Sequence, residues 1–124
     1  MKSLALTLLL TLLSMPVLAE DGPQLPWVAP EVMAAAVDIG MDDAQRAEFR
    51  GAVTDLARGY MDDIRKVMSG RDQTNLKRKI KSKRNSRMKQ LDKAMAKVLT
   101  EEQMPRYEVY RDLLEDKMSK FPRG

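Results

Sequence analysis

Cysteine and histidine are both absent from the 124 residues. Without cysteine the chain cannot form disulfides, and without either residue it lacks the usual ligands of zinc, nickel and cobalt. Aromatic residues are few, at 5% of the chain. No segment alternates apolar and polar residues with the period of a strand. The sequence therefore predicts an all-α protein that folds without disulfides and without a metal site.

The residue types that usually carry catalysis are equally sparse. General acid–base chemistry would depend on carboxylates or lysines alone, because there is no histidine. No serine or threonine has an activating base nearby in the sequence, and no glycine-rich loop is present to hold a phosphate. We therefore predict that the protein is not an enzyme and uses no cofactor.

The longest apolar run lies at the N-terminus, in the segment MKSLALTLLLTLLSMPVLA. Lys2 gives it a positive start, and Val17-Leu18-Ala19 provides a cleavage site of small residues. This pattern is typical of a secretory signal peptide, and the run is too short for a membrane span. We predict that residues 1–19 are removed and that the mature chain is exported without stable membrane insertion. A retained anchor is the alternative.

Residues 20–40 combine a Pro-rich leader with one short helix. The leader, EDGPQLPWVAP, holds three prolines and a glycine, which predicts an extended chain. Pro30 favours the first turn of a helix, because its missing N–H is not needed there. Gly40 is suited to end this helix after Ile39. Trp27, the only tryptophan, is expected to pack the leader onto a helix.

Residues 41–121 form the main helical domain of the prediction. Three long helices are expected over 43–68, 72–98 and 101–119, because apolar residues recur there at helical spacing. The stripes that should face the core are Phe49, Val53, Leu56, Tyr60, Ile64 and Val67; Leu76, Ile80, Met88, Leu91, Met95 and Val98; and Met104, Tyr107, Leu114 and Met118.

The segment VLTEEQMPRYEVYRDLL contains the signature of a helix start. The hydroxyl of Thr100 can accept a hydrogen bond from the backbone N–H of Gln103, whose side chain can reach back to the N–H of Thr100. Leu99 and Met104 flank this capping box as a hydrophobic staple. Pro105 lacks the N–H that would bond the carbonyl of residue 101, so it should kink or loosen the first turn.

A second, less perfect copy of this pattern occurs 58 residues earlier, in GMDDAQRAEFRGAVTDL. Asp42 stands in the capping position, and aspartate caps helices well. The equivalent pairs are Asp42 and Thr100, Gln45 and Gln103, Phe49 and Tyr107, and Leu56 and Leu114. The shared spacing indicates an internal duplication; two helices that merely start with good caps are the alternative.

The motif Leu99-Thr100-Glu101-Glu102-Gln103, with its partial copy Met41-Asp42-Asp43-Ala44-Gln45, resembles the paired Leu-Thr-x-x-Gln motifs of the Spy/CpxP family of bacterial periplasmic stress proteins. This resemblance implies a thin, hairpin-like helical protomer that pairs antiparallel into a cradle-shaped homodimer in the periplasm. It also implies an ATP-independent chaperone or an accessory regulator of envelope-stress signalling. Pro105 departs from the pattern at the start of the fourth helix.

The third predicted helix contains NLKRKIKSKRNSRMKQ, in which eight basic residues occur without an acid. Arg84 and Arg87 fall in the same sector as the apolar positions of this helix, where a buried unpaired guanidinium would be costly. Either they reach out to solvent, or an acid meets them, or the sector is an open, wet surface. We favour the open surface and predict that it binds clients through Lys77, Ile80, Lys81, Arg84, Arg87 and Met88. A merely solvated charge run is the alternative.

Small residues form a ridge on the second predicted helix, opposite its apolar stripe. Glycine inside a helix costs about 1 kcal/mol relative to alanine, yet Gly51 and Gly59 both lie there, together with Ala44 and Asp55. Either a partner helix approaches this ridge closely, or the face is exposed and tolerates small residues.

These features support three candidate functions, which we give in decreasing order of support. The first is a chaperone-like protein that binds unfolded or partly folded envelope proteins through a basic and apolar face. The second is a regulator that docks on the sensor domain of a membrane histidine kinase. The third is a metal-responsive protein that binds Cu(I) through methionines, although methionine at helical spacing is more often core. We predict that nucleic acid is not a partner, because aromatic residues do not interleave with the basic ones.

Overall fold

The computed structural model describes residues 25–70 and 74–121. The predicted signal peptide and cleavage site lie outside the described residues. These ranges contain helices and no strand, so the all-α prediction is confirmed; the homodimer stays a prediction. A short 3-10 turn, Pro26–Val28, is followed by α1 (Pro30–Asp38), α2 (Asp43–Ser69), α3 (Leu76–Val98) and α4 (Met104–Lys120).

Two helices start later than the sequence predicts. Asn75 adopts a left-handed backbone conformation with φ 58° and ends the turn that precedes α3; asparagine tolerates this conformation better than most residues. Residues 101–103 form a turn, and α4 begins only at Met104 with Pro105 in its first turn. Gly40, at φ 74°, directly follows Ile39, the C-cap of α1, and so ends this helix as the sequence predicted.

The helices α2 and α4 run parallel to each other and are joined by side-chain contacts. The side chains of Gln45 and Gln103 are hydrogen-bonded near the two helix starts. Fifteen residues further along each helix, the hydroxyl of Tyr60 donates to the carbonyl of Met118 at 3.4 Å. Because both contacts join residues 58 positions apart, the two helices keep the same register over about 22 Å.

The helices α1 and α3 run antiparallel to these two. Along α4, Arg106 at its start donates to the carbonyl of Asp38, and Lys117 near its end pairs with Glu31 of α1. The helix α3 likewise packs on α2. The helix α1 therefore packs on α4 and α3 packs on α2, each in the other half of the chain, and α3 also contacts α4.

The core fills the space between the four helices. The three predicted stripes supply most of it: Phe49, Leu56, Tyr60, Ile64, Met88, Leu91, Met95, Tyr107, Leu114 and Met118 are all buried. Tyr110 is buried as well, and its ring meets that of Phe49 edge-on at 5.0 Å between centroids. Trp27 contacts Phe121 at 6.2 Å between ring centroids, so it does pin the leader near the end of α4, as predicted.

The hairpin of α2 and α3 extends beyond the four-helix part of the molecule. At the register set by Tyr60 and Met118, the last residue of α4, Lys120, lies level with Asp62 of α2. The remaining turns of α2 therefore project about 10 Å beyond the end of α4 and pair with the start of α3. Residues 64–69 and 76–84 form this projection, which we call the basic arm.

Candidate functional site

Both predicted capping boxes are present, but only the first starts a helix directly. The Asp42 carboxylate accepts from the N–H of Gln45 at 2.8 Å, and the Gln45 side chain accepts from the N–H of Asp42 at 3.0 Å. At the second site, the N–H of Thr100 donates to Gln103 at 2.9 Å and Thr100 Oγ1 accepts from the N–H of Gln103 at 3.3 Å. These bonds close the turn that precedes α4, because Pro105 has no N–H with which to extend the helix backwards.

The two capping glutamines also bind each other. Gln45 Nε2 donates to Gln103 Oε1 at 2.8 Å, and Gln103 Nε2 donates to Gln45 Oε1 at 3.1 Å. The second donor positions go to backbone carbonyls: Gln45 donates to Val98 at 3.1 Å and Gln103 to Gly40 at 3.0 Å. Gly40 and Val98 are themselves 58 positions apart. Each of these four hydrogen bonds has a counterpart between the equivalent residues 58 positions away, which supports the internal duplication. We call the four bonds the glutamine knot.

Arg87 is paired with an acid that the sequence analysis did not assign. Its Nε donates to Asp63 Oδ2 at 2.9 Å and its Nη2 to Oδ1 at 3.1 Å, while Asp63 is only 8% exposed. The hydrogen bond to Asp63 raises the pKa of Arg87 above its usual value. Of the three alternatives for this sector, an acidic partner is the one realised at Arg87. The signal available in the sequence was Asp63 itself, which follows the buried Tyr60 at helical spacing.

Gly59 makes room for this ion pair. A Cβ atom placed on Gly59 would lie 2.4 Å from the guanidinium carbon of Arg87, closer than any contact that atoms tolerate. A Cβ on Gly51 would meet nothing within 4 Å. The two glycines of the predicted ridge therefore differ. At Gly59 an arginine side chain approaches the helix closely, whereas Gly51 lies on an open face.

The predicted client-binding residues of α3 differ in how much of each side chain is buried. Lys77 and Lys81 are exposed, and Ile80 and Arg84 are half-buried. Nε of Arg84 is buried and finds no hydrogen-bond partner among the described residues. Met88 is 3% exposed and belongs to the core.

The expected open sector is therefore closed at the level of Arg87 and Met88. This corrects the expectation for these two residues, since a paired arginine and a core methionine offer little surface to a client. The sector opens only towards Ile80 and Arg84, at the base of the basic arm.

An exposed apolar groove, which the sequence analysis missed, lies between α1 and the first half of α2. It encloses about 380 Å³, and its lining includes Trp27, Val28, Met33, Val37, Phe49 and Val53. Val37 is 78% exposed, Met33 52% and Val28 49%. Arg46 and Arg50 stand on the rim, and Arg46 forms an ion pair with Asp43.

The sequence did carry a signal for this groove. The short helix α1 is apolar on two faces: Val32, Ala35 and Ile39 are buried against the core, whereas Met33 and Val37 face outwards. A helix that is apolar all round is normally enclosed on all sides. A helix of this kind at the surface therefore indicates a second, uncovered contact face.

Two buried tyrosines on α4 have perturbed acidities. The hydroxyl of Tyr107 donates to Asp92 Oδ1 of α3 at 2.7 Å, and Nε of Arg111 lies 3.7 Å from the same oxygen. Burial raises the pKa of Tyr107 strongly, and the hydrogen bond to Asp92 raises it further. Burial also raises the pKa of Tyr110. The hydrogen bond of Tyr107 joins α4 to α3, and Tyr110 packs on Phe49 of α2.

The described ranges offer no clustered metal ligands: no group of three or more carboxylates, histidines or cysteines is placed to hold an ion. Met88, Met95 and Met118 are buried in the core, as the structural interpretation of the methionines predicted. Over residues 25–70 and 74–121, no helix is both long and apolar enough to cross a bilayer.

Comparison of the chain with protein-family models, with curated proteins and with solved structures finds no match.

Proposed function

We propose that the protein is an ATP-independent, chaperone-like protein of the periplasm that holds unfolded or partly folded envelope proteins. The observation that carries this proposal is the exposed apolar groove between α1 and α2. A contiguous apolar patch on a small soluble protein is typical of a binding site. The resemblance of the capping motifs to the Spy/CpxP family points in the same direction.

The groove has the properties that weak binding of many sequences requires. Its exposed side chains are mostly aliphatic or thioether, and the flexible thioether of Met33 adapts to differently shaped partners. Arg46 and Arg50 on the rim attract acidic segments, and an arginine stem can also cover apolar surface. Contact of this kind needs no nucleotide, because release follows from the weakness of the binding.

The basic residues of α3 are a second part of the proposed client surface. Lys77, Ile80, Lys81 and Arg84 remain accessible to different degrees. Their charges attract a partner over about a Debye length, roughly 10 Å at moderate salt. In this proposal they increase the rate of encounter, while the apolar groove supplies the contact that holds the client. The expected homodimer would present two such surfaces.

A regulator that docks on the sensor domain of a histidine kinase is the second candidate. The concentration of basic residues on one arm favours it, because a single folded acidic surface would complement that arm. This role predicts one stoichiometric partner whose binding weakens steeply with salt, and no protection of unrelated proteins. A metal-responsive role ranks third, since it has only the methionines as ligands.

An aggregation assay with a matched pair of variants tests the chaperone proposal. Val37 in the groove and Val109 on α4 are both exposed valines within helices, at 78% and 58%. We expect Val37→Gln to reduce the suppression of aggregation of an unrelated denatured protein by about two- to fivefold. We expect Val109→Gln to behave as the wild type, because it removes similar apolar area outside the groove. Light scattering at equal molar dose gives the measurement.

The double variant Met33→Gln/Val37→Gln should lose most of the protection that the single variant retains. A wild-type chain that protects no unrelated protein would refute the chaperone proposal and leave the kinase regulator. Equal loss in Val37→Gln and Val109→Gln would refute the groove as the client site.

A further inference from the structure

The basic arm concentrates the positive charge of the molecule at one end. Residues 64–69 and 76–84 contain eight basic residues and no acid. The other described residues, 25–63 and 85–121, contain eleven basic and fifteen acidic residues, a net charge of −4. The structure therefore has a strong charge dipole along the hairpin of α2 and α3, with the arm as its positive end.

Four cations of α3 in this arm have no acidic partner among residues 25–70 and 74–121. Lys77, Arg78, Lys81 and Lys83 are exposed. Among the described residues no carboxylate lies within 4.0 Å of these four side chains. On α2, Arg65 and Lys66 share the single carboxylate of Asp62, which is half exposed.

The distribution of these cations indicates a partner that is an extended surface. At 100° per residue, positions 77, 78, 81 and 83 point to several sides of α3, so no single docking face contains them all. Between them lie Leu76 and Ile80, both half-buried, whose apolar atoms remain within reach of a partner. The arm thus combines basic residues with a few apolar ones on a projecting helix. Such a combination can bind the interfacial region of an anionic bilayer.

We propose that the basic arm binds the surface of anionic phospholipid membranes through Lys77, Arg78, Lys81 and Lys83, with the start of α3 towards the headgroup phosphates. Lysine and arginine stems can keep their charges at phosphate depth while Leu76 and Ile80 meet the acyl boundary. The negative remainder of the molecule is repelled by the same surface, so the charge dipole fixes the orientation. A nucleic acid is disfavoured, because the arm contains no aromatic side chain on which bases could stack.

This orientation leaves the apolar groove free. The groove contacts α2 over residues 46–54, whereas the arm begins at residue 64. Ten residues of helix separate the two by about 15 Å. Membrane binding and the apolar groove of the proposed client site thus use different surfaces, so a groove variant can lose client binding alone. The basic residues of the arm belong to both proposals.

Vesicle co-sedimentation of the full chain tests the proposal. The probes are vesicles of phosphatidylcholine alone and of phosphatidylcholine mixed with phosphatidylglycerol. The apolar residues near the N-terminus contribute to both, so the arm is measured by the difference. Lys77→Glu/Lys81→Glu changes the arm, and Lys93→Glu/Lys97→Glu makes the same charge change at the same spacing on the same helix outside the arm; all four lysines are exposed.

We expect the wild type to prefer the anionic vesicles and to lose this preference at high salt. The arm variant should bind them at least about tenfold more weakly, and the matched variant less than about threefold more weakly. Equal weakening in both variants would show that net charge alone acts, and would overturn the proposal. So would tighter binding to duplex DNA or to an acidic protein than to anionic vesicles, or no preference for phosphatidylglycerol. The groove variant Val37→Gln should leave vesicle binding unchanged.

Discussion

Single residues in this molecule acquire their roles from residues far away in the sequence. Gly59 is the clearest case, since its missing side chain is the space that Arg87 occupies on its way to Asp63. Arginine and aspartate here form a two-bond pair, of the kind that holds two helices in one geometry. Breaking such a pair on one side leaves a buried charge without a partner, which costs more than the pair contributes.

The two glycines of α2 provide a matched test of this pairing. Gly51→Ala should stabilise the protein by about 0.5 to 1 kcal/mol, because alanine is the better helix former and meets nothing there. Gly59→Ala gains the same propensity but displaces Arg87, so we expect a net loss of about 1 to 2 kcal/mol. Urea unfolding followed by circular dichroism measures both. Equal stabilisation by the two substitutions would show that the ion pair is not held as described.

Between elements, the contacts of α4 with α3 and with α2 include two ionisable tyrosines. Tyr107 and Tyr110 have a pKa above the usual value in the folded chain, so they hold their protons more tightly when folded. In the unfolded chain tyrosine ionises near pH 10. Stability should therefore be constant with respect to these groups below about pH 10 and fall as the pH rises further.

The substitution Tyr107→Phe separates this effect from general alkaline unfolding. At neutral pH it should cost about 1 kcal/mol, the value of a typical hydrogen bond, because Asp92 loses a donor. Above about pH 10 it should lose stability less steeply than the wild type, since one ionising group is gone. Urea midpoints measured from neutral to alkaline pH give both values. A slope identical to that of the wild type would contradict the assignment of Tyr107.

The glutamine knot fixes the register of α2 against α4. In Gln103→Glu the capping oxygen is kept, but both amide donors, to Gly40 and to Gln45, are lost and two oxygens face each other. We expect a loss of about 1 to 3 kcal/mol at neutral pH. Gln90→Glu, an exposed position on α3, makes the same chemical change without a partner to lose and should be nearly neutral. Thermal unfolding of the two variants compares them directly, and similar melting temperatures would refute the knot.

At the scale of the whole molecule, the positions of the helices could be predicted well from the sequence. Which helices pack against each other could not. Apolar spacing located the three long helices, Pro30 and Gly40 located α1, and the 58-residue repeat identified the two glutamines of the knot. Local patterns of this kind depend on residues within one or two turns. The late start of α4 was only partly predictable, from Pro105.

The candidate sites were harder to predict, because they depend on which helices pack together. Nothing near Arg87 in the sequence shows that Asp63 will face it from another helix. The apolar groove likewise exists only because α1 buries one apolar face on α4 and leaves the other against the open side of α2. The basic arm was visible as a charge run, but its projection beyond the core follows from the unequal lengths of α2 and α4.

The exchanged packing of the two halves has a consequence for how the chain matures. The buried side of α1 is completed by α4, which is synthesised after the other three helices described, and α2 is likewise covered by the later helix α3. Neither repeat forms a closed core by itself, so the chain emerging from the ribosome should remain incompletely folded until α4 has emerged. In this order of synthesis, the hydrophobic core is completed only when α4 packs on α1.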